Sequence, residues 1–476
     1  MKSYKTFETS EPASEMNDLS RQLKRFTPIM VVIGAIVMTA YAALQGSLSV
    51  FIAYSCFGFV GFAIVIFTTG YTQARIYLTI YGMAAIAAVV LAWDYTNAYG
   101  APYWGGGSDE FFFENNGIAY AQKYGVFDYS SIRGDLVYEW ESTVAYIYII
   151  GLLAKFSELF GGFHTMVPRL FNAMCLSLIA ALSYQLCIRL QLKHSSAIIA
   201  AFSSGAFPYL MWISVQSLRD IIQALLVLLV AYLWVPDRDG RWLYPIPLLI
   251  LMSVLSVVPL WEMRKGQAIV VLLLVGVSFI TNRRSWTPLN LLMLTPIYSA
   301  IAVYGIVTYY PVFEDAYSLY TKAAPEYAEY QARGGTQQTS GLSAAVFQAP
   351  LFPVGWLFRF VYALISPLPT TVWPLYYGWL SAGTIIQIVF LPFLFIGLRY
   401  SLQSSQWRII GLAFLSFFVA MSMFTFTIRH STYWMIFAIP LVALGWERYT
   451  GNHLKLIKLM AVLASSFGLA YFVLKG

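Results

Sequence analysis

The sequence predicts an all-α, polytopic transmembrane bundle of about 13 to 14 membrane helices, with two long extracytoplasmic loops carrying juxtamembrane helices. Three observations lead there. Charged residues are only 11% of the 476, against roughly 25% in a soluble domain. Hydrophobic residues are 59% and the mean hydropathy is +0.67. Apolar runs near the ~20 residues that cross a bilayer recur along the chain. Such a chain cannot cover itself with polar side chains, which excludes soluble, disordered and fibrous classes.

The runs lie near 28–45, 48–69, 76–93, 143–160, 168–188, 196–213, 218–235, 243–260, 267–281, 288–309, 376–398, 409–427, 432–446 and 454–474. Lipid leaves no water for backbone groups, so crossing segments must be helices. Residues 350–373 are apolar but interrupted by prolines and Arg359. No leader peptide is expected. A polar tail (1–27) ends in Arg21, Lys24 and Arg25, which places the N-terminus in the cytoplasm. The expected organisation is this tail, two leading helices (28–75), a core (76–309) interrupted by a first outer loop (94–142), a second outer loop with a juxtamembrane segment (310–375), and C-terminal helices (376–476). Cys56, Cys175 and Cys187 lie in apolar stretches with neither disulfide nor metal spacing. No metal site is predicted.

Charge sets the orientation. The two long loops hold 12 of the 22 acidic residues and few bases. Arg75, Arg189 with Lys193, Arg238 with Arg241, Arg283 with Arg284, Arg399 with Arg408, and Arg448 with Lys455 and Lys458 occupy short loops. Basic short loops stay in the cytoplasm. Parity is satisfied when 143–160 is re-entrant or juxtamembrane and 350–373 stays on the outer side.

A few charges then stand on the wrong side: Arg169, Arg219-Asp220, Arg264-Lys265, Arg359 and Arg429-His430. Cations converging near an outer surface fit a phosphate or pyrophosphate of a lipid carrier, because guanidinium forks match its oxygens. Snorkelling to lipid headgroups also accounts for single arginines, and an internal ion pair accounts for Arg219-Asp220. In the first loop, a glycine run (105–107) precedes Asp109-Glu110 and a stretch able to form an amphipathic helix, FFFENNGIAYAQKYG. Asp109 falls at its N-cap or first turn, where the helix dipole keeps a carboxylate ionised. This suits a general base at a cavity mouth, or a plain helix cap. The pair is weak evidence for a divalent cation, so cofactors stay open.

The acidic pair opening a long outer loop, then FGGFHTMVPRLFNAMCLSLIAALSYQLCIRL and FPYLMWISVQSLRDIIQALLVLL, resembles the GT-C superfamily of polyprenyl-phosphate-sugar-dependent glycosyltransferases. The likeness is to the branch with protein mannosyltransferases, aminoarabinose transferases and bacterial surface-polysaccharide relatives. It covers roughly residues 76–240. It implies Asp109, with Glu110, as catalytic acids, and Arg169, Arg219 and Asp220 in support. Arg264, Lys265, Arg359, Arg429 and His430 would then hold the donor phosphate. The implied partners are a polyprenyl-linked sugar donor, a glycan or glycolipid acceptor and membrane lipid, with no nucleic acid. The implied location is a bacterial cytoplasmic (inner) membrane. Two helices precede the resemblance, and Phe113 stands where the family has tyrosine. The C-terminal IRHSTYWMIFAIPLVALG also resembles O-antigen and capsule polymerases, so a repeat-unit polymerase or ligase is the alternative. A lipid-linked sugar flippase is the third reading, although no internal repeat is visible.

Overall fold

The computed structural model describes residues 13–107, 109–125, 128–140, 143–237, 241–282, 355–366, 374–424 and 428–475. The described residues form 17 α-helices and no strand. Six helices are long and apolar enough to cross a membrane, so the chain is a multi-pass membrane protein: α1 (Ala13–Gln45, apolar from Leu19), α2 (Leu48–Thr68), α3 (Tyr71–Tyr99), α7 (Met166–Arg189), α11 (Ile246–Met263) and α14 (Leu375–Gln403). A seventh is bent. The run at 196–213 divides into α8 (His194–Ala206) and α9 (Pro208–Ser214), inclined at 48°. The break is at Pro208, which lacks an N–H, and Phe207 before it is extended at φ −61, ψ 128.

The remaining helices are shorter: α4 (Asp109–Tyr124), α5 (Tyr129–Trp140), α6 (Val144–Glu158), α10 (Asp220–Trp234), α12 (Lys265–Thr281), α13 (Trp356–Ile365), α15 (Arg408–Phe424), α16 (Thr432–Arg448) and α17 (His453–Lys475). The expected count of crossings was therefore higher than the number of long apolar helices described. At ~1.5 Å per residue, α6 rises only about 22 Å, short of the ~30 Å hydrocarbon core. The second long loop, the run at 288–309, Arg238 and Arg283-Arg284 lie outside the described residues.

The first loop starts later than the charge pattern suggested. α3 continues to Tyr99, so Asp94 is a buried helical residue. It accepts the backbone N–H groups of Leu375 and Tyr376 at 3.0 and 3.1 Å. Those are orphan donors at the N-terminus of α14, which a carboxylate satisfies well.

Small residues bring the helices close, as expected where packing rather than hydrophobicity drives association. A Cβ on Gly82 of α3 would stand 2.7 Å from the carbonyl oxygen of Met30 in α1. Thr27 and Thr79 share a hydrogen bond of 2.9 Å across that pair. Tyr77 and Tyr81 donate to the carbonyls of Phe57 and Tyr54 in α2, at 2.8 and 2.9 Å. On the outside, Ile29, Val32, Ile36, Phe59 and Phe67 are exposed, as a lipid-facing surface requires.

α4 lies against α6 on the face carrying Glu110, Phe113, Glu114, Gly117 and Ala121, all buried. A Cβ on Gly117 would meet Ile150 at 2.6 Å, and one on Gly151 would meet the Gly117 carbonyl at 3.0 Å. Gly117→Val is therefore expected to lift α4 from α6. Limited proteolysis between residues 100 and 128 should accelerate about tenfold or more, given a steric cost of 1–3 kcal/mol; an unchanged cleavage rate would contradict this packing.

Candidate functional site

Helix junctions bring the charges together. Arg219 is the N-cap of α10 and Asp220 its first residue. Arg264 is extended at the break between α11 and α12, with φ −168, ψ 97. Arg429 and His430 lie in a 3₁₀ turn (Ile428–Ser431) that enters α16. Asp109 and Glu110 occupy the first turn of α4. The N-termini of α10, α12 and α16 thus meet at one place, and each presents the positive end of its dipole.

Asp220 is the hub. It is 1% exposed and its Oδ1 accepts the Tyr433 hydroxyl at 2.6 Å. The Arg264 Nη1 stands 4.0 Å from Oδ1, and the Arg429 Nε 4.0 Å from Oδ2. Both separations exceed hydrogen-bond reach. Asp220 Oδ2, Arg264 Nη1 and Arg429 Nε are buried with no hydrogen-bond partner among the described residues. Arg429 reaches out with its Nη1 to pair with Asp109 Oδ2. Arg219 lies over the Phe113 ring at 5.8 Å and shares the electrostatic field of Asp220, Arg264 and Arg429. His430 is buried in the field of the same three arginines. Three guanidinium groups therefore face two carboxylates, and three helix N-termini add to the positive side. The side chains of Asp109, Arg264 and Arg429 are 40%, 24% and 23% exposed, so the cluster opens outward.

The other charges near these junctions and helices take different places. Lys265 lies over Trp261 at 6.0 Å. Glu262 turns to Arg133 of α5 at 3.3 Å. Arg359 is fully buried on α13, which packs against α14 and α15. Arg169 is fully buried, pairs with Glu110 at 3.3 Å and donates to the Pro102 carbonyl. Glu110 faces inward and also accepts the N–H groups of Ser217 and Trp104, at 2.9 and 3.2 Å. Asp109 and Glu110 thus point to different guanidinium groups and make no shared oxygen site for a divalent cation. Among the described residues, no group of three or more His, Cys, Asp or Glu converges on a metal position.

One carboxylate escaped notice in the sequence. Glu114, a helical turn after Glu110, is 2% exposed. It accepts the hydroxyls of Tyr103 at 2.8 Å, Thr165 at 2.7 Å and Ser217. Its i, i+4 spacing from Glu110 was the available signal. Burial pushes its carboxyl up to about 7, against the opposing pull of Ser217, Thr165, Arg169 and Tyr103. The folded state thus holds a proton that the unfolded chain releases near 4.5. Stability from this group is full below 4.5, falls as pH rises towards 7, and is level above. Glu114→Gln removes that dependence. The difference between wild-type and variant unfolding free energies should shift by up to about 3 kcal/mol between pH 4.5 and 7. A pH-independent difference would contradict a buried, titrating Glu114.

Comparison of the chain with protein-family models, with curated proteins and with solved structures gives no match.

Proposed function

We propose that the protein is a membrane-embedded glycosyltransferase. It moves a sugar from a polyprenyl-phosphate-linked donor to a hydroxyl of a glycan or glycolipid, at the extracytoplasmic face, in cell-surface polysaccharide assembly. The observation that carries this reading is the convergence of Arg219, Arg264 and Arg429 on three helix N-termini beside a partly exposed Asp109. The Arg264 Nη1 and Arg429 Nε donors, buried with no hydrogen-bond partner among the described residues, belong to side chains 24% and 23% exposed, and such guanidinium groups suit the oxygens of a phosphodiester.

The chemistry is a single displacement. The acceptor oxygen attacks the anomeric carbon, and its proton passes to the Asp109 carboxylate. The bond from that carbon to the phosphate oxygen breaks, its electron pair stays on the oxygen, and polyprenyl phosphate leaves. Arg264 and Arg429 stabilise the leaving group increasingly as charge grows on it, which lowers the barrier beyond simple binding. Arg219 and the helix N-termini add fixed positive potential. Glu110 and Arg169 hold the loop from behind rather than touching substrate.

The test is purified protein in lipid vesicles given a panel of polyprenyl-phosphate sugars and an acceptor glycan. Release of polyprenyl phosphate that depends on acceptor is expected. Translocation of the lipid with no glycosidic product would instead show a flippase. Product formed by joining whole lipid-pyrophosphate repeat units would show a polymerase or ligase.

A further inference from the structure

The cationic cluster depends on a short linker, residues 215–219, which ends in Arg219 and delivers Asp220. That linker has little local structure of its own. Asn172 of α7 donates to the carbonyls of Gln216 and Leu218, at 2.6 and 2.8 Å. Between them, Ser217 gives its N–H to Glu110 and its hydroxyl to Glu114. Both acceptors are on the inner face of α4, the helix whose first residue is Asp109.

We propose that Glu114 is a positioning residue: through Ser217 it registers the Arg219–Asp220 linker against α4, so that one helix sets the spacing between Asp109 and the cation cluster. The inference rests on the reading of that cluster as a phosphate site. Its geometry is that of a clamp. Glu114 joins three segments at once, the loop through Tyr103, the α6–α7 junction through Thr165 and the α9–α10 linker through Ser217. The charged and titratable groups around it are Glu110 on its own helix, Arg169 of α7, Tyr103 of the loop and Tyr146 of α6. Arg169 is committed to Glu110 and the Pro102 carbonyl, so Glu114 rests mainly on hydroxyls. A neutral amide keeps an acceptor oxygen for Ser217, whereas an apolar side chain of similar size does not.

The experiment uses the full chain in detergent and two readouts. The first is hydrogen exchange of backbone amides 215–220. The second is equilibrium binding of a farnesyl phosphodiester of glucose, whose single charge is constant across neutral pH. Ser217→Ala and Glu114→Met should each speed exchange about tenfold and weaken binding about tenfold, the effect of one lost buried hydrogen bond. Glu114→Gln should restore both to within about threefold of wild type. Unchanged exchange in Ser217→Ala, which removes a single hydroxyl, overturns the clamp. So does equal loss in Glu114→Gln and Glu114→Met. Faster exchange in a protein whose wild type never binds the diester supports the clamp and overturns the phosphate reading.

Discussion

Replacing Asp109 with asparagine is expected to reduce sugar transfer about 10³-fold while the protein stays folded, the loss that follows removal of a positioned general base. The side chain is 40% exposed and pairs with Arg429, itself 23% exposed, rather than lying within the core. Asparagine keeps its size and one acceptor oxygen, so the first turn of α4 is undisturbed. What disappears is the anionic oxygen that takes the acceptor proton. The fall should appear in kcat, measured as acceptor-dependent product in vesicles. A loss smaller than tenfold would place the base elsewhere.

Gly445→Val is expected to eliminate the folded protein. α14 and α16 cross backbone to backbone at Gly397 and Gly445. A Cβ on Gly445 would overlap the Phe393 carbonyl oxygen and stand 2.7 Å from its carbon and 2.8 Å from the Gly397 nitrogen. Neither obstacle is a side chain that can rotate away, so the helices must separate. Such separation forfeits a large apolar contact, including Phe393 and Leu441, both fully buried. The site goes with it, because α16 carries Tyr433, which holds Asp220, and follows directly on Arg429. The expected result is loss of the monodisperse peak in size-exclusion chromatography. Gly134→Ala on α5, where nothing lies within 4 Å, should be neutral or stabilising by about 0.5–1 kcal/mol. A monodisperse Gly445→Val protein would contradict the crossing.

The low charge fraction made part of this site legible. In a chain with so few ionisable groups, Arg219, Asp220, Arg264 and Arg429 stood out before any geometry, and the structure gathers them at helix junctions. The two adjacent acids of the first loop go to different partners, Asp109 to Arg429 and Glu110 to Arg169. Consecutive helical residues point about 100° apart, so Asp109 turns outward while Glu110 turns into the core. Lys265 separates from Arg264 for a related reason: one is extended at the break, the other opens α12. Tyr433 and Glu114 were hidden because their partners are remote, 213 residues away for Tyr433 with Asp220 and 103 for Glu114 with Ser217. Asp94 looked like a loop acid, but its carboxylate caps a helix 281 residues further on. Apolar runs located most helices, yet they could not show that Pro208 bends one of them.

The central claim is that the arginine cluster binds the donor phosphate while Asp109 does chemistry only. The most direct test is equilibrium binding of the farnesyl phosphodiester of glucose to the Asp109→Asn protein. Because asparagine releases Arg429 from its ion pair, the variant should bind the donor as tightly as wild type or more tightly, and transfer sugar about 10³-fold more slowly. Weakened binding in the variant would contradict the division of roles, as would binding with transfer intact.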